Sequence, residues 1–150
     1  MTSTLVVVRN KKEFPDPAAT GVLALAREAG IALEDVRTSQ LYLVESELKP
    51  GELKTLASEL LADAVTQEFQ TGDAKMKGKG AVIDVWLKPQ VADPVAPFVE
   101  RGARDLGFTV TVRCGQRYEL KGQVDAVTAE KVAWRALANP ILHHCDIQAL

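Results

Sequence analysis

The alternation of apolar and polar residues along the chain predicts the same series of elements twice. In the second half, Ala81, Ile83, Val85 and Leu87 alternate with more polar positions, which is the period of a strand with one buried face. Residues 5–9 form a similar short apolar segment near the start of the first half. We therefore expect each half of the chain to open with a strand.

An Asp-Pro pair follows each of these strands, at residues 16–17 and again at residues 93–94. An aspartate accepts hydrogen bonds from the free N–H groups of a first helical turn, and proline suits the first helical position because it has no N–H. Each pair therefore predicts the start of a helix. Gly30 and Gly107 are expected to end these helices, because glycine tolerates the left-handed conformation of a C-terminal cap.

Two short strand patterns follow each of these helices. They lie at residues 35–38, 40–45, 109–114 and 116–121. Only residues 38–39 and 114–115 remain for the connections, which leaves room for a tight turn and little else. We therefore predict an antiparallel hairpin in each half.

A second helix and a last strand complete each half. In the first half the helix follows a turn at residues 50–51, and in the second half we expect Thr128 to cap it and residues 139–140 to end it. The last strands are predicted at residues 65–70 and 141–148. The order is then strand, helix, strand, strand, helix, strand in each half. This predicts an α+β fold with two tandem ferredoxin-like (β-α-β-β-α-β) units, each an antiparallel sheet with both helices on one face.

The two halves also share residue identities in register. The offset is 77 positions up to Gly30 and Gly107 and 76 positions beyond them, after a single residue is dropped. Matched pairs include Lys11/Lys88, Val22/Val99, Arg27/Arg104, Val36/Val112, Arg37/Arg113, Gln40/Gln116, Tyr42/Tyr118 and Leu61/Leu137. The match predicts a tandem duplication, with repeat 1 at residues 1–73, a linker at 74–80 and repeat 2 at 81–150. Because units this small are marginal alone, we expect the repeats to form a pseudo-dimer within the chain.

The sheet face that points away from the predicted helices differs between the repeats. In repeat 1 it carries Leu5, Val7, Leu41 and Leu43, whereas in repeat 2 it is mixed and includes Trp86. An uncovered apolar patch on a soluble protein normally marks a contact surface. We therefore expect the repeats to pack through these faces or to pair their sheet edges.

Polar residues lie at the predicted hairpin tip of repeat 2. Arg113, Gln116 and Arg117 are placed there to contact an acidic partner or an anion, and the alternative is a solvated tip. Together with the residues of the outer face, they make up the predicted interface.

Composition narrows the classes of function. The formal net charge of −2 gives no electrostatic case for binding nucleic acid. No apolar run approaches the roughly 20 residues of a membrane span, and the first residues lack the layout of a signal peptide. Cys114 and Cys145 show no framework spacing, so we expect reduced thiols in a cytoplasmic protein rather than a disulfide.

No constellation of residues predicts catalysis. His143, His144, Cys145 and Asp146 alternate between the two faces of a strand, so at most two of them could bind one metal ion. Cys114 lies on the apolar face of its strand, where core packing is the simpler role. No phosphate loop or nucleophile motif is present. We therefore predict no catalytic, metal-binding or cofactor-binding residue.

Several segments resemble a known family. Residues 85–94 (VWLKPQVADP), 112–120 (VRCGQRYEL) and 137–141 (LANPI) resemble the PurS subunit of phosphoribosylformylglycinamidine synthase. Residues 36–43 (VRTSQLYL) and 60–65 (LLADAV) look more like the PurS-like N-terminal domain of the large, single-chain synthase. The resemblance covers both halves except the linker.

The resemblance implies an accessory subunit without an active site. Such a subunit helps to assemble a glutaminase with an ATP-dependent synthetase, which makes the amidine of formylglycinamide ribonucleotide in de novo purine biosynthesis. ATP, Mg and glutamine would be used by these partner subunits and none bound by this chain. Family members carry one unit and dimerise, so a fused pair resembles a covalent dimer, and further self-association stays possible.

The chain departs from the family pattern at one position. The family usually has Gly-Lys after Val-Arg, whereas this chain has Gly115-Gln116 in repeat 2 and Ser39-Gln40 in repeat 1, so a lysine contact cannot be carried over. A different class of function also remains open. Ferredoxin-like pairs often bind small effectors at their interface, and the alternative is therefore a ligand-sensing regulatory module.

Overall fold

The computed structural model describes residues 2–73 and 75–150. Met1, the first residue of predicted repeat 1, and Ala74, the first residue of the predicted linker, lie outside the described residues. Strands and helices alternate within each half of the chain, and the strands follow the order β3-β1-β2-β5-β4-β6 in their sheet. The predicted α+β class is confirmed.

The bounds of the elements are as follows. The strands are β1 (Thr2–Asn10), β2 (Leu33–Ser46), β3 (Gln67–Thr71), β4 (Gly80–Leu87), β5 (Thr111–Gly122) and β6 (His143–Ala149). The helices are α1 (Pro17–Glu28), α2 (Pro50–Leu56), α3 (Ala96–Asp105) and α4 (Ala126–Val132). A π-helical turn continues α2 over Ala57–Leu61 and α4 over Ala133–Leu137.

The predicted hairpins are wrong, because β2 and β5 are each one continuous strand. A two-residue hairpin loop needs a positive φ at one or both central residues. No described non-glycine residue has a positive φ, and Gly115 is not among the glycines that do. The chain therefore stays extended through residues 38–39 and 114–115. Each half contributes the order strand, helix, strand, helix, strand in place of the predicted β-α-β-β-α-β.

Asp16-Pro17 starts α1 as predicted, whereas Asp93-Pro94 lies just before α3, whose N-cap is Val95 and whose first turn contains Pro97. Asp16 Oδ1 accepts a hydrogen bond from the Ala19 N–H at 3.1 Å, and Asp93 Oδ1 accepts one from the Ala96 N–H at the same distance. The predicted ends are also confirmed, because Gly30 and Gly107 take positive φ values of 79° and 89° after α1 and α3.

The predicted cap of α4 is wrong. Thr128 lies within the helix, and Asp125 is the capping residue, since its Oδ1 accepts a hydrogen bond from the Thr128 N–H at 2.7 Å. An aspartate satisfies the free N–H groups of a first turn as well as a threonine does. The Thr128 position therefore indicated the helix start correctly to within one turn.

The chain forms two compact units, and each takes segments from both halves of the sequence. Unit 1 comprises Met1–Phe14, Ser39–Ala74 and Ala92–Cys114, and unit 2 comprises Pro15–Thr38, Lys75–Val91 and Gly115–Leu150. Helix α3 of the second half thus belongs to unit 1, and α1 of the first half belongs to unit 2. The compact units therefore do not coincide with the predicted repeats, whose boundaries stay a prediction about the sequence.

In unit 1, α2 and α3 pack on one face of β1 and β2. Val6, Val8 and Val44 supply the sheet side of this core. The helices supply Leu53, Leu56, Ala57, Leu61, Ala96, Val99 and Ala103. Val110, Val112 and Cys114 belong to the same core, and α3 packs against the α2 segment, so neither half of the sequence alone completes it.

In unit 2, α1 and α4 pack on one face of β4 and β5. Ala81, Ile83, Val85 and Leu120 supply the sheet side of this core. The helices supply Ala19, Val22, Ala26, Ala129, Val132 and Ala133. The arrangement mirrors that of unit 1, because residues from both halves of the sequence, including Leu33 and Val36 of β2, again share one core.

The strand registers of the two units correspond under the same sequence offsets. Val7 pairs with Leu41 in the β1–β2 ladder, and Asp84 pairs with Arg117 in the β4–β5 ladder. In both units the last strand joins the outer edge of the first, as β3 on β1 and β6 on β4. Equivalent residues therefore occupy equivalent positions in two ladders.

Candidate interaction surface

The outer face predicted to be bare is largely buried within the chain. Val7 and Leu41 are cross-strand partners in unit 1 and are 1% and 0% exposed. Leu5 and Leu43 are partners in the same ladder and are half-buried. These side chains leave little apolar surface for another protein, and their role in an interface stays a prediction.

Arg117 is also buried, in an ion pair with Asp84. Its Nε lies 2.7 Å from Asp84 Oδ1 and its Nη2 lies 2.9 Å from Oδ2, so the guanidinium binds both carboxylate oxygens. The Arg117 side chain is 1% exposed and that of Asp84 is 13% exposed. Since no hairpin tip exists, the strand carries Arg117 into the protein, and its acidic partner is a residue of the same chain.

Trp86 packs over Gly115 in unit 2. The two residues are cross-strand partners, and a Cβ atom on Gly115 would lie 2.6 Å from Trp86 Cε3. Trp86 is 8% exposed. Gly115 is therefore required for the close approach of an indole ring and not for the turn that the sequence pattern predicted.

The two remaining predicted interface residues differ in accessibility. Arg113 is exposed on β5, and Gln116 is half-buried on the same strand. Arg113 is thus the most accessible of the predicted interface residues at which a partner could bind. The structure brings Trp86 and Arg117 together on the β4–β5 ladder, whereas Val7 and Leu41 lie in the other unit.

Each unit contains an aspartate that binds both a helix and a strand. In unit 2, Asp16 caps α1 through Oδ1, and its Oδ2 accepts a hydrogen bond from the Thr38 N–H at 2.9 Å. In unit 1, Asp93 Oδ1 accepts a hydrogen bond from the N–H of Ala96, the first residue of α3, and its Oδ2 accepts one from the Cys114 N–H at 3.0 Å. Capping alone was the predicted role. The second oxygen fixes the start of the helix to the middle of the long strand.

Burial, together with nearby ionisable groups, raises the pKa values of Cys114, Tyr42 and Tyr118 and so disfavours formation of the thiolate and the phenolates. Burial raises the pKa of Cys114 to about 12, and the charge of Asp93 and a hydrogen bond to it act in the same direction. Burial also raises the pKa of Tyr42, with a further contribution from Cys114, and that of Tyr118, with a further contribution from Asp16. A thiol with so high a pKa is a poor nucleophile at neutral pH.

His143 has a structural role at the turn before β6. Its Nδ1 accepts a hydrogen bond from the Asn139 N–H at 3.0 Å. At the equivalent turn of the first half, Gln67 Oε1 accepts one from the Asp63 N–H at 2.9 Å. Within residues 2–73 and 75–150, no group of three or more His, Cys, Asp or Glu side chains is placed to hold a metal ion.

Sequence reasoning missed a groove between α1 and the α4 segment in unit 2. It encloses about 320 Å³, and its walls include Leu25, Ile31, Lys131, Arg135 and Ala136. Leu25 is 51% exposed at its edge. The sequence held one signal for it, in the comparison of the two halves. Leu25 aligns with Gly102, and Ala136 aligns with Leu60, so the large and the small residue of the pair are exchanged between the two helices.

Among the residues that the structure describes, no helix has the length and apolar character needed to cross a membrane.

Comparison with known proteins gives one match. Residues 80–150 match the profile of the PurS family, described as phosphoribosylformylglycinamidine (FGAM) synthase. This segment runs from β4 to β6 and includes α3 and α4. It is therefore a PurS-like domain. No curated protein matches the chain.

Proposed function

We propose that this chain is a fused pair of PurS-like repeats that serves as a non-catalytic accessory subunit of FGAM synthase. In this role it bridges the glutaminase and the ATP-dependent synthetase in the cytoplasm. ATP, Mg and glutamine are used by these partners, and the chain contributes binding surface. The match of residues 80–150 to the PurS family is the observation that carries the proposal.

The correspondence of the two units supports the fused-pair part of the proposal. Equivalent strand registers, equivalent aspartate contacts and equivalent turns before the last strand recur at the same sequence offsets. Each compact unit also needs a helix from the opposite half of the sequence. Covalent linkage of the halves then keeps the exchanged helices at high effective concentration, which two separate subunits would achieve only by dimerising.

The engagement of the polar side chains supports a non-catalytic role. Asp16 and Asp93 bind backbone N–H groups, Asp84 and Arg117 bind each other, and His143 binds a turn. Each of these groups stabilises the fold. A catalytic acid, base or nucleophile would instead need to reach a substrate from an accessible cleft.

The proposal is tested by reconstitution. The full chain is mixed with the synthetase and the glutaminase in the presence of ADP and glutamine, and complex formation is followed by size-exclusion chromatography with light scattering. FGAM formation is measured with glutamine and, separately, with ammonia as nitrogen donor. We expect the chain to be required for the complex and for glutamine-dependent activity, while ammonia-dependent activity of the synthetase changes little.

Absence of a complex under these conditions would overturn the assignment. If, in addition, an amino acid or a nucleotide raised the melting temperature of the isolated chain specifically, the ligand-sensing module would be the better description. Cys114→Ala and His143→Ala serve as controls for the non-catalytic role. Loss of FGAM formation with an intact complex in either variant would contradict it.

A further inference from the structure

We draw no further inference here: the strongest candidate, the apolar groove between α1 and the α4 segment in unit 2, carries no proposal because Leu25 of α1 itself lines it and nothing in the structure shows what covers it.

Discussion

The two units place different chemistry at the same cross-strand position. In unit 1 Val7 faces Leu41, and in unit 2 Asp84 faces Arg117. Leu41 and Arg117 are both 0% exposed. The same backbone register therefore accommodates an apolar pair or a bidentate ion pair, provided that each partner satisfies the other. The comparison teaches that burial at this position is fixed by the fold, whereas the chemistry of the pair is not.

Breaking the ion pair should give the largest effect. Asp84→Val leaves the Arg117 guanidinium buried without its carboxylate, and we expect a loss of about 3–5 kcal/mol in the free energy of unfolding. The double variant D84V/R117L copies the apolar pair of unit 1 and should recover most of this loss, because both charges are then removed. Urea unfolding followed by circular dichroism measures both. A double variant as unstable as the single one would show that the units are not interchangeable at this position.

The contact between Trp86 and Gly115 gives the next effect. Gly115→Ala places a Cβ atom against a buried indole ring, and overpacking of this kind costs about 1–3 kcal/mol. Gly21→Ala is the control, because Gly21 lies in the interior of α1 and an added Cβ atom there would meet no neighbouring side chain within 4 Å. Alanine there should raise stability by about 0.5–1 kcal/mol. Equal effects of the two substitutions in chemical denaturation would contradict the packing role of Gly115.

Titration at Cys114 sharpens the comparison of the two aspartate sites. The thiol has a pKa of about 12 in the folded chain and an ordinary value of 9.0. Between these values the unfolded chain loses its proton while the folded chain keeps it, so stability falls as pH rises above 9. Cys114→Thr, which copies Thr38 of the other site, cannot titrate there and should lose less stability. Melting temperatures measured from about pH 8 to about pH 11 give the two slopes, and parallel curves would exclude a role for this thiol.

The turn before β6 should give the smallest effect. His143→Gln copies Gln67 at the equivalent turn, keeps an acceptor for the Asn139 N–H, and should leave the melting temperature close to that of wild type. His143→Ala removes the acceptor and should cost about 0.5–1.5 kcal/mol. A thermal melt of both variants tests this. If the glutamine variant is as unstable as the alanine variant, the imidazole does more than accept this hydrogen bond.

Sequence patterns were most accurate where the responsible interactions are local. Asp16 caps α1 by accepting a hydrogen bond from an N–H group three residues away, and Gly30 and Gly107 follow the ends of α1 and α3 in a single backbone conformation. These signals need no knowledge of the rest of the chain. The hairpin prediction was wrong because residues 38–39 and 114–115 have the composition of a turn. The packing of Trp86 on Gly115 within a continuous strand is not visible in that composition.

The predicted interface shows the same limit. Alternation along β1 and β2 assigned Val7 and Leu41 to the face opposite the helices, and neither residue belongs to the helix-covered core of unit 1. It could not show that these residues are buried within the chain, since burial depends on segments distant in sequence. The groove between α1 and the α4 segment could not be predicted for a related reason. Leu25 and Ala136 become neighbours only when a helix of the first half packs in unit 2.

By itself, the sequence determined the α+β class, the start of α1, the ends of α1 and α3, and the PurS resemblance of residues 80–150. These follow from local hydrogen bonding, from the period of the apolar residues and from motifs of fixed spacing. Only the tertiary structure decided that α1 and α3 each share a core with residues of the opposite half, that the long strands continue through the expected turns, and which polar residues meet. These features depend on the free energy of burying several apolar faces together. Residues far apart in the sequence contribute jointly to that free energy, so no single segment predicts it.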